Sequence, residues 1–343
     1  MPKAAKILVI RFSAMGDVAM TAPVLKEFRE AYPDTELLIV SRTLFKPFFE
    51  GLTNAQFHAF DPKQKHKGFF GLIKLFRELK KQEVTAVADL HNNLRSKILT
   101  FLFFFAGIDF ATVDKGRKEK KRLTRKENKL VIPLKLTIQR YTEVFGKLGF
   151  PLTLKNTLHK QTLNGNDVRK IGVSPFAQHL QKVYPLHKME AVLLTLAELG
   201  HQLFIFGGSE EEQQTAEGWA NKHQNITSVV RKMTLQEELE FISTLDVMLS
   251  MDSSGMHLSS LKNVPVVSVW GATHPYAGFL GYGQSINDAV QIDLYCRPCS
   301  VYGNVPCYRG DFACMNNLPE KNIVDKLLEK LNNDQTAAIS KTR

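Results

Sequence analysis

The sequence predicts an α/β protein made of two parallel-sheet halves, and three observations carry that reading. Short apolar runs alternate with stretches of helical spacing from residue 6 onward. After an irregular, polar stretch at residues 149–165 the alternation starts again. In each half a polar turn follows an apolar run, at residues 13–17 and at 252–254. Parallel strands need a crossover helix between them, so repeated strand–helix alternation favours a parallel sheet. Ligands of such sheets bind at the carboxyl ends of the strands, where these turns fall.

In the first half, KILVIR (6–11) reads as a strand and SAMGD (13–17) as a turn. Residues 18–31 then form one helix with Pro23 near its start, where proline is tolerated. Strands are expected at 36–40, 56–60 and 84–90, helices at 71–81 and 136–148. The run ILTFLFFFAG (98–107) is about half the length that spans a bilayer and reads as a buried helix, with a membrane-touching face as the lesser reading. In the second half, strands are expected at 170–173, 202–206, 227–230, 247–250 and 266–270. Helices fall at 186–199, 211–223, 234–243, 256–261 and 319–332, with residues 335–343 a frayed tail. The expected domains are 1–160 and 161–320, followed by a terminal helix and tail at 321–343.

Two features bound the partners. The net charge is +11, which favours an acidic partner such as a phosphate, a nucleotide or an anionic lipid. Residues 115–129 (KGRKEKKRLTRKENK) hold nine Lys or Arg against two Glu, a net of +7, so most of the charge sits in one segment. That concentration argues against nucleic acid, whose partners spread basic and aromatic residues over a face. The segment reads as a solvated, mobile loop, with contact to an anionic ligand as the other reading. The N-terminal stretch has no secretory apolar region.

The chain lacks G-x-G-x-x-G after its first strand, lacks G-x-x-x-x-G-K-[ST], and lacks D-x-D. A dinucleotide fold, a P-loop enzyme and a carboxylate-held metal at a diphosphate are all disfavoured. Asp252, Ser253 and Ser254 precede a helix, and a helix N-terminus with free N–H groups suits a phosphate or diphosphate. His257 lies within the first turns of that helix. An ordinary cap is the competing reading. The four cysteines, Cys296, Cys299, Cys307 and Cys314, follow C-x2-C-x7-C-x6-C. Structural zinc, free thiols and redox-linked pairs all fit that spacing.

Four motifs in order resemble glycosyltransferase family nine, the ADP-heptose:lipopolysaccharide heptosyltransferases. KILVIRFSAMGDVAMTAPVL (6–25) resembles the family's opening, and MDSSGMHLSS (251–260) its donor motif Asp-Ser/Thr-Gly-x-x-His-Leu. Lys182-Val183-Tyr184-Pro185 resembles its Lys-x-Trp-Pro, and FGGSEEE (206–212) its Gly-Gly-x-x-Glu turn. The likeness covers nearly the whole chain. There are departures: Ser254 stands where the family has Gly, with Gly255 one place later, and Pro175-Phe176-Ala177 replaces Pro-Gly-Ala.

The resemblance implies a GT-B fold, two Rossmann-like domains facing across a cleft, and an inverting transfer that needs no metal cofactor. It implies a cytoplasmic enzyme that takes a nucleotide-sugar donor and a lipid-linked sugar acceptor, with peripheral contact at the inner membrane and no nucleic acid. Asp17 would be the general base, with Gly16 admitting the donor; a plain helix cap is the other reading of Asp17. Lys182, Asp252, Ser253, Ser254 and His257 would bind the donor, and Glu210 or Glu211 its ribose. Arg42, His91 and Arg95 would meet the acceptor, or be solvated surface groups. Rival readings are a transferase or epimerase using another nucleotide sugar such as a UDP-sugar, and a non-catalytic polyanion- or nucleotide-binding module.

Overall fold

The computed structural model describes residues 5–158 and 168–339 and divides into two compact units. Unit 1 comprises Met1–Arg117 and Lys135–Asn156; unit 2 comprises Lys118–Leu134 and Thr157–Arg343. The expected linker at 149–165 lies partly outside the described residues.

Unit 1 begins with β1 (Lys6–Ile10), α1 (Met15–Ala19), α2 (Thr21–Ala31), β2 (Glu36–Ser41) and β3 (Ala55–Ala59). It continues through α3 (Gly68–Lys80), β4 (Ala86–Asp89), α4 (Leu94–Phe105) and β5 (Asp109–Thr112). Next comes α5 (Arg117–Leu123), which apart from Arg117 belongs to unit 2, and α6 (Thr137–Lys147) closes unit 1. The helix expected over 18–31 is two, broken at Met20, and Pro23 sits in the first turn of α2 where no N–H is needed. The sheet is wholly parallel in the order β3-β2-β1-β4-β5. The chain steps from β1 out to β3 and then crosses to the far side of β1. The switch point therefore lies between the carboxyl ends of β1 and β4. Right-handed crossovers put α3 and α4 on one face and α2 on the other, where α2 packs with α6.

Unit 2 holds β6 (Lys170–Ser174), α7 (Leu186–Glu198), β7 (Gln202–Ile205), α8 (Glu210–Ala220), β8 (Ile226–Ser228) and α9 (Leu235–Ile242). Then come β9 (Val247–Met251), α10 (Ser254–Leu261), β10 (Val266–Val269), β11 (Ala289–Val290), α11 (Ala313–Asn316) and α12 (Glu320–Ile339). Its parallel sheet runs β11-β10-β9-β6-β7-β8, with the switch point between β6 and β9. Every residue of β9 is buried, the continuous apolar strand of a sheet covered on both faces. Val173, Leu249, Val267, Leu193 and Leu327 belong to one core, so α12 is part of this unit's interior. It also runs on to Ile339, through part of the stretch expected to fray.

Two expectations are corrected. The basic segment is not a mobile loop: part of it is helical, and Lys120 is buried over the Phe279 ring at 4.0 Å. Lys126 lies over Tyr308 at 4.9 Å, and Lys129 Nζ donates to the carbonyls of Cys296 (2.6 Å) and Pro298 (2.9 Å). Aromatic faces and free carbonyls give these cations partners that a charge count does not reveal. The apolar run at 98–107 is likewise only half a core element. Leu99 and Phe103 are buried, while Phe101, Phe104 and Phe105 face water.

Candidate active site

Each switch point gathers polar side chains. In unit 1 the Arg11 guanidinium pairs with the Asp17 carboxylate and donates to Leu90 O at 2.6 Å. Arg11 thus ties the turn after β1 to the turn after β4. Burial pulls the Arg11 pKa down, and Asp17, Tyr141 and Asp89 together outweigh it, so the net shift is upward. The Asp17 side chain stays partly exposed at 29%, against 7% for Arg11. A carboxylate held by a buried cation and open to solvent is placed to meet a ligand. Asp17 does not act as a cap; it lies inside α1, whose N-cap is Ala14.

The turn after β4 is organised by Asp89. Its Oδ1 accepts the N–H groups of His91 (2.9 Å) and Asn92 (2.8 Å), and its Oδ2 accepts Ser96 Oγ–H (2.9 Å). Asn93 and Ser96 form a capping box that starts α4. His91 Nδ1 accepts the Phe12 N–H at 3.1 Å, which leaves the ring proton on Nε2. Burial, with the Arg11 cation next, pushes the imidazole down to about 3. His91 is therefore a neutral donor at physiological pH, not a cation for an anionic acceptor. Lys115 is half-buried near the same groups, and burial followed by the Arg11 charge lowers its pKa. Arg42 and Arg95 are exposed.

In unit 2, Lys182 Nζ pairs with Asp252 Oδ2 at 3.0 Å across the switch point. Both side chains are largely buried, and Lys182 ends a 3-10 turn, Leu180–Lys182. Ser253 is the N-cap of α10 but makes no side-chain cap bond, and its Oγ lies 3.4 Å from Ser250 Oγ. The first N–H groups of α10 are thus left without an Oγ acceptor from their own cap. Ser254 is half-buried and His257 buried one turn on. Gly255 accounts for the shifted glycine of the motif. A Cβ there would stand 2.5 Å from Ser174 Cβ and Oγ, so only glycine lets α10 start this close to β6.

Two further segments shape this site. At the turn into α8, Glu212 accepts the N–H groups of Gly208 (2.6 Å) and Ser209 (3.0 Å) and is used as the cap. Glu210 and Glu211 remain exposed on the first turn, with Arg231 3.9 Å from Glu210. Gly303, at φ +76°, lies against the Lys182 stem, where a Cβ would meet Cγ at 2.4 Å. The Cys-rich segment that carries Gly303 therefore backs the lysine. Its four cysteines are unbridged and line one cavity with Arg297 and Arg309. Burial pushes the Cys314 thiol up to about 12 and raises Cys299.

Among the described residues, one trio of His, Cys, Asp and Glu has ligand atoms within 4.8 Å of one another: His58, His66 and Glu78. His66 Nδ1 accepts the Asp61 N–H at 3.0 Å, so its Nε2 carries the proton toward Glu78 at 3.2 Å. Lys65 Nζ also reaches Glu78 at 3.0 Å. The trio is thus a hydrogen-bonded cluster on a carboxylate that already pairs with Lys65.

The geometry thus offers a carboxylate at one switch point and a buried lysine with a helix N-terminus at the other. The family model described as glycosyltransferase family 9 (heptosyltransferase) matches residues 72–306, more than half of the chain. The chain belongs to glycosyltransferase family 9. As a glycosyltransferase of that heptosyltransferase family, it is 22% identical over 327 residues to lipooligosaccharide heptosyltransferase 2 of Campylobacter jejuni, covering 94% of this chain and 98% of that one. Among solved structures, a family 9 glycosyltransferase from Veillonella parvula superposes with a TM-score of 0.73 at 18% identity, over 97% and 99% of the two chains. E. coli heptosyltransferase WaaC with ADP gives 0.67 at 18%, over 95% and 99%. The fold class is accordingly GT-B, with two parallel α/β units.

Sequence reading named Asp17, Lys182, Asp252 and His257, and the structure gathers Asp17 in unit 1 and the other three in unit 2. It missed Arg11, Asp89 and Lys115. Arg11 was legible as the charged residue that ends an apolar strand beside Gly16-Asp17. Lys115 was read only as the first residue of the basic segment, and Asp89 was not singled out, because their roles depend on which strands become neighbours.

Proposed function

We propose that this glycosyltransferase moves heptose from ADP-heptose to the inner core of lipopolysaccharide or lipooligosaccharide, with inversion and without a catalytic metal. The observation that carries the reading is the buried Lys182–Asp252 pair beside the uncapped start of α10. A departing diphosphate needs positive charge and N–H donors, and these groups supply both. Asp17 takes the proton from the acceptor hydroxyl as that oxygen bonds to the anomeric carbon. The bond from that carbon to the β-phosphate oxygen breaks in the same step, and the charge passes to ADP. Arg11 orients Asp17, and Gly16 lets the donor approach. Ser253 and Ser254 donate to phosphate oxygens and His257 supports them. Asp252 orients Lys182 and meets donor hydroxyls, and Glu210 or Glu211 accepts from the ribose. His91 Nε2–H, Arg42 and Arg95 serve the acceptor.

We also propose that Cys296, Cys299, Cys307 and Cys314 hold a structural zinc. Four thiols line one cavity, and Arg297 and Lys129 stand close enough to offset the charge of a tetrathiolate. No three of these sulfurs lie within 4.8 Å of one another, so the segment would have to close for all four to hold the metal, whose part behind Lys182 would be structural. The enzyme works in the cytoplasm, where its lipid-linked acceptor brings it to the inner membrane.

A melting series with ADP, ADP-heptose, UDP, GDP and CMP, with and without EDTA, tests the donor reading. Stabilisation by ADP and ADP-heptose that survives EDTA supports it. Stabilisation by UDP instead would move the enzyme to another sugar, and no response to any nucleotide would overturn it. A fall in melting temperature caused by EDTA alone is the signature of the zinc.

A further inference from the structure

The helix layer of unit 1 has an outer face that no described element covers. α3 and α4 lie side by side on one face of the sheet, joined where Phe76 meets Phe103 edge-on at 4.9 Å. Their inner stripes are spent on the core. On the outer side Phe70 is 83% exposed, Phe105 82% and Leu94 76%, and Phe69, Phe101 and Phe104 are also more than half exposed. Large side chains exposed in number on one helix face mark an interaction site. Both helices run antiparallel to the strands, so Phe69, Phe70 and Leu94 lie at the Asp17 end and Phe101, Phe104 and Phe105 at the other. Aromatic groups bracket the face at both ends.

The charges between them decide what fits. The two helices carry five Lys or Arg and one acidic residue, Glu78. Glu78 is already taken by Lys65, His58 and His66. Lys74, Arg77, Arg95 and Lys97 are exposed, and Phe70, Lys74 and Arg77 follow i, i+4, i+7 on one stripe of α3. A second copy of this chain would bring the same positive face against itself, which like charges oppose. An anionic lipid surface satisfies both halves of the pattern, with rings at the acyl boundary and cations among the headgroups. Neither helix is long and apolar enough to cross a membrane, so the face lies on the bilayer.

We propose that the outer face of α3 and α4 is a docking surface for an anionic phospholipid bilayer. The proposal stands apart from the transfer chemistry and is read without turnover. The test is co-sedimentation of the full chain with vesicles of phosphatidylglycerol and phosphatidylethanolamine in equal parts, against phosphatidylcholine vesicles, at low and high salt. The chain should sediment with the anionic vesicles, less so at high salt. Phe101→Ser with Phe105→Ser should weaken the partition at least about tenfold with melting unchanged. Lys74→Glu with Lys97→Glu, a second route that removes no apolar group, should weaken it too. Failure of the wild-type chain to bind anionic vesicles would overturn the proposal, as would binding untouched by both variants. A wild-type dimer in light scattering that the Phe variants turn into monomer would overturn it in favour of self-association. The nucleotide melting series is independent, so either reading can fail while the other stands.

Discussion

At the scale of single residues, the first unit depends on groups whose charge is set by burial. His91 is held near a pKa of 3 against 6.5 for the free side chain, so the folded state resists protonation. The unfolded chain binds the extra proton between those values, and stability from this group is complete above pH 6.5 and lost as pH falls toward 3. We expect the melting temperature of wild type to drop on acidification below 6.5. His91→Asn, which keeps an acceptor for the Phe12 N–H, should flatten that slope. Equal slopes in both proteins would show that His91 is not the titrating group. His274, pushed down to about 4 by burial, gives a parallel contribution and is the control substitution.

At the scale of elements, α10 carries the second site because Gly255 lets it begin against β6. Gly255→Ala should cost about 1–3 kcal/mol through overpacking on Ser174. It should also weaken ADP binding, since the displaced N–H groups are the ones offered to phosphate. A melting curve and a titration check both parts; an unchanged melting temperature would mean that the helix start has room to yield. The strands of both sheets and most helices were legible because buried parallel strands read as apolar runs between polar turns. β5 and β11 were not. β5 has four residues and β11 two, too few for a pattern. The outer face of α4 was legible only as the lesser reading of its segment, because an almost wholly apolar run hides which stripe is buried.

At the scale of the whole molecule, the two units repeat one plan: a parallel sheet whose switch point collects the polar groups. That plan was visible in the sequence as two turns of similar position, and Asp17 and Asp252 were found through it. Arg11, just past the strand that leads to Asp17, was within reach of the sequence, whereas Asp89 for the first site and the Gly303 segment for the second come from other strands and loops and needed the fold. The central claim is the transfer itself, and a mass-spectrometric assay tests it with ADP-heptose, heptose-deficient lipopolysaccharide core and EDTA. The account predicts that wild type adds one heptose to the acceptor. It also predicts that Asp17→Asn, folded and still stabilised by ADP, is slower by about 10²–10⁴-fold. No transfer from ADP-heptose by wild type, or undiminished transfer by the Asp17→Asn variant, would contradict it.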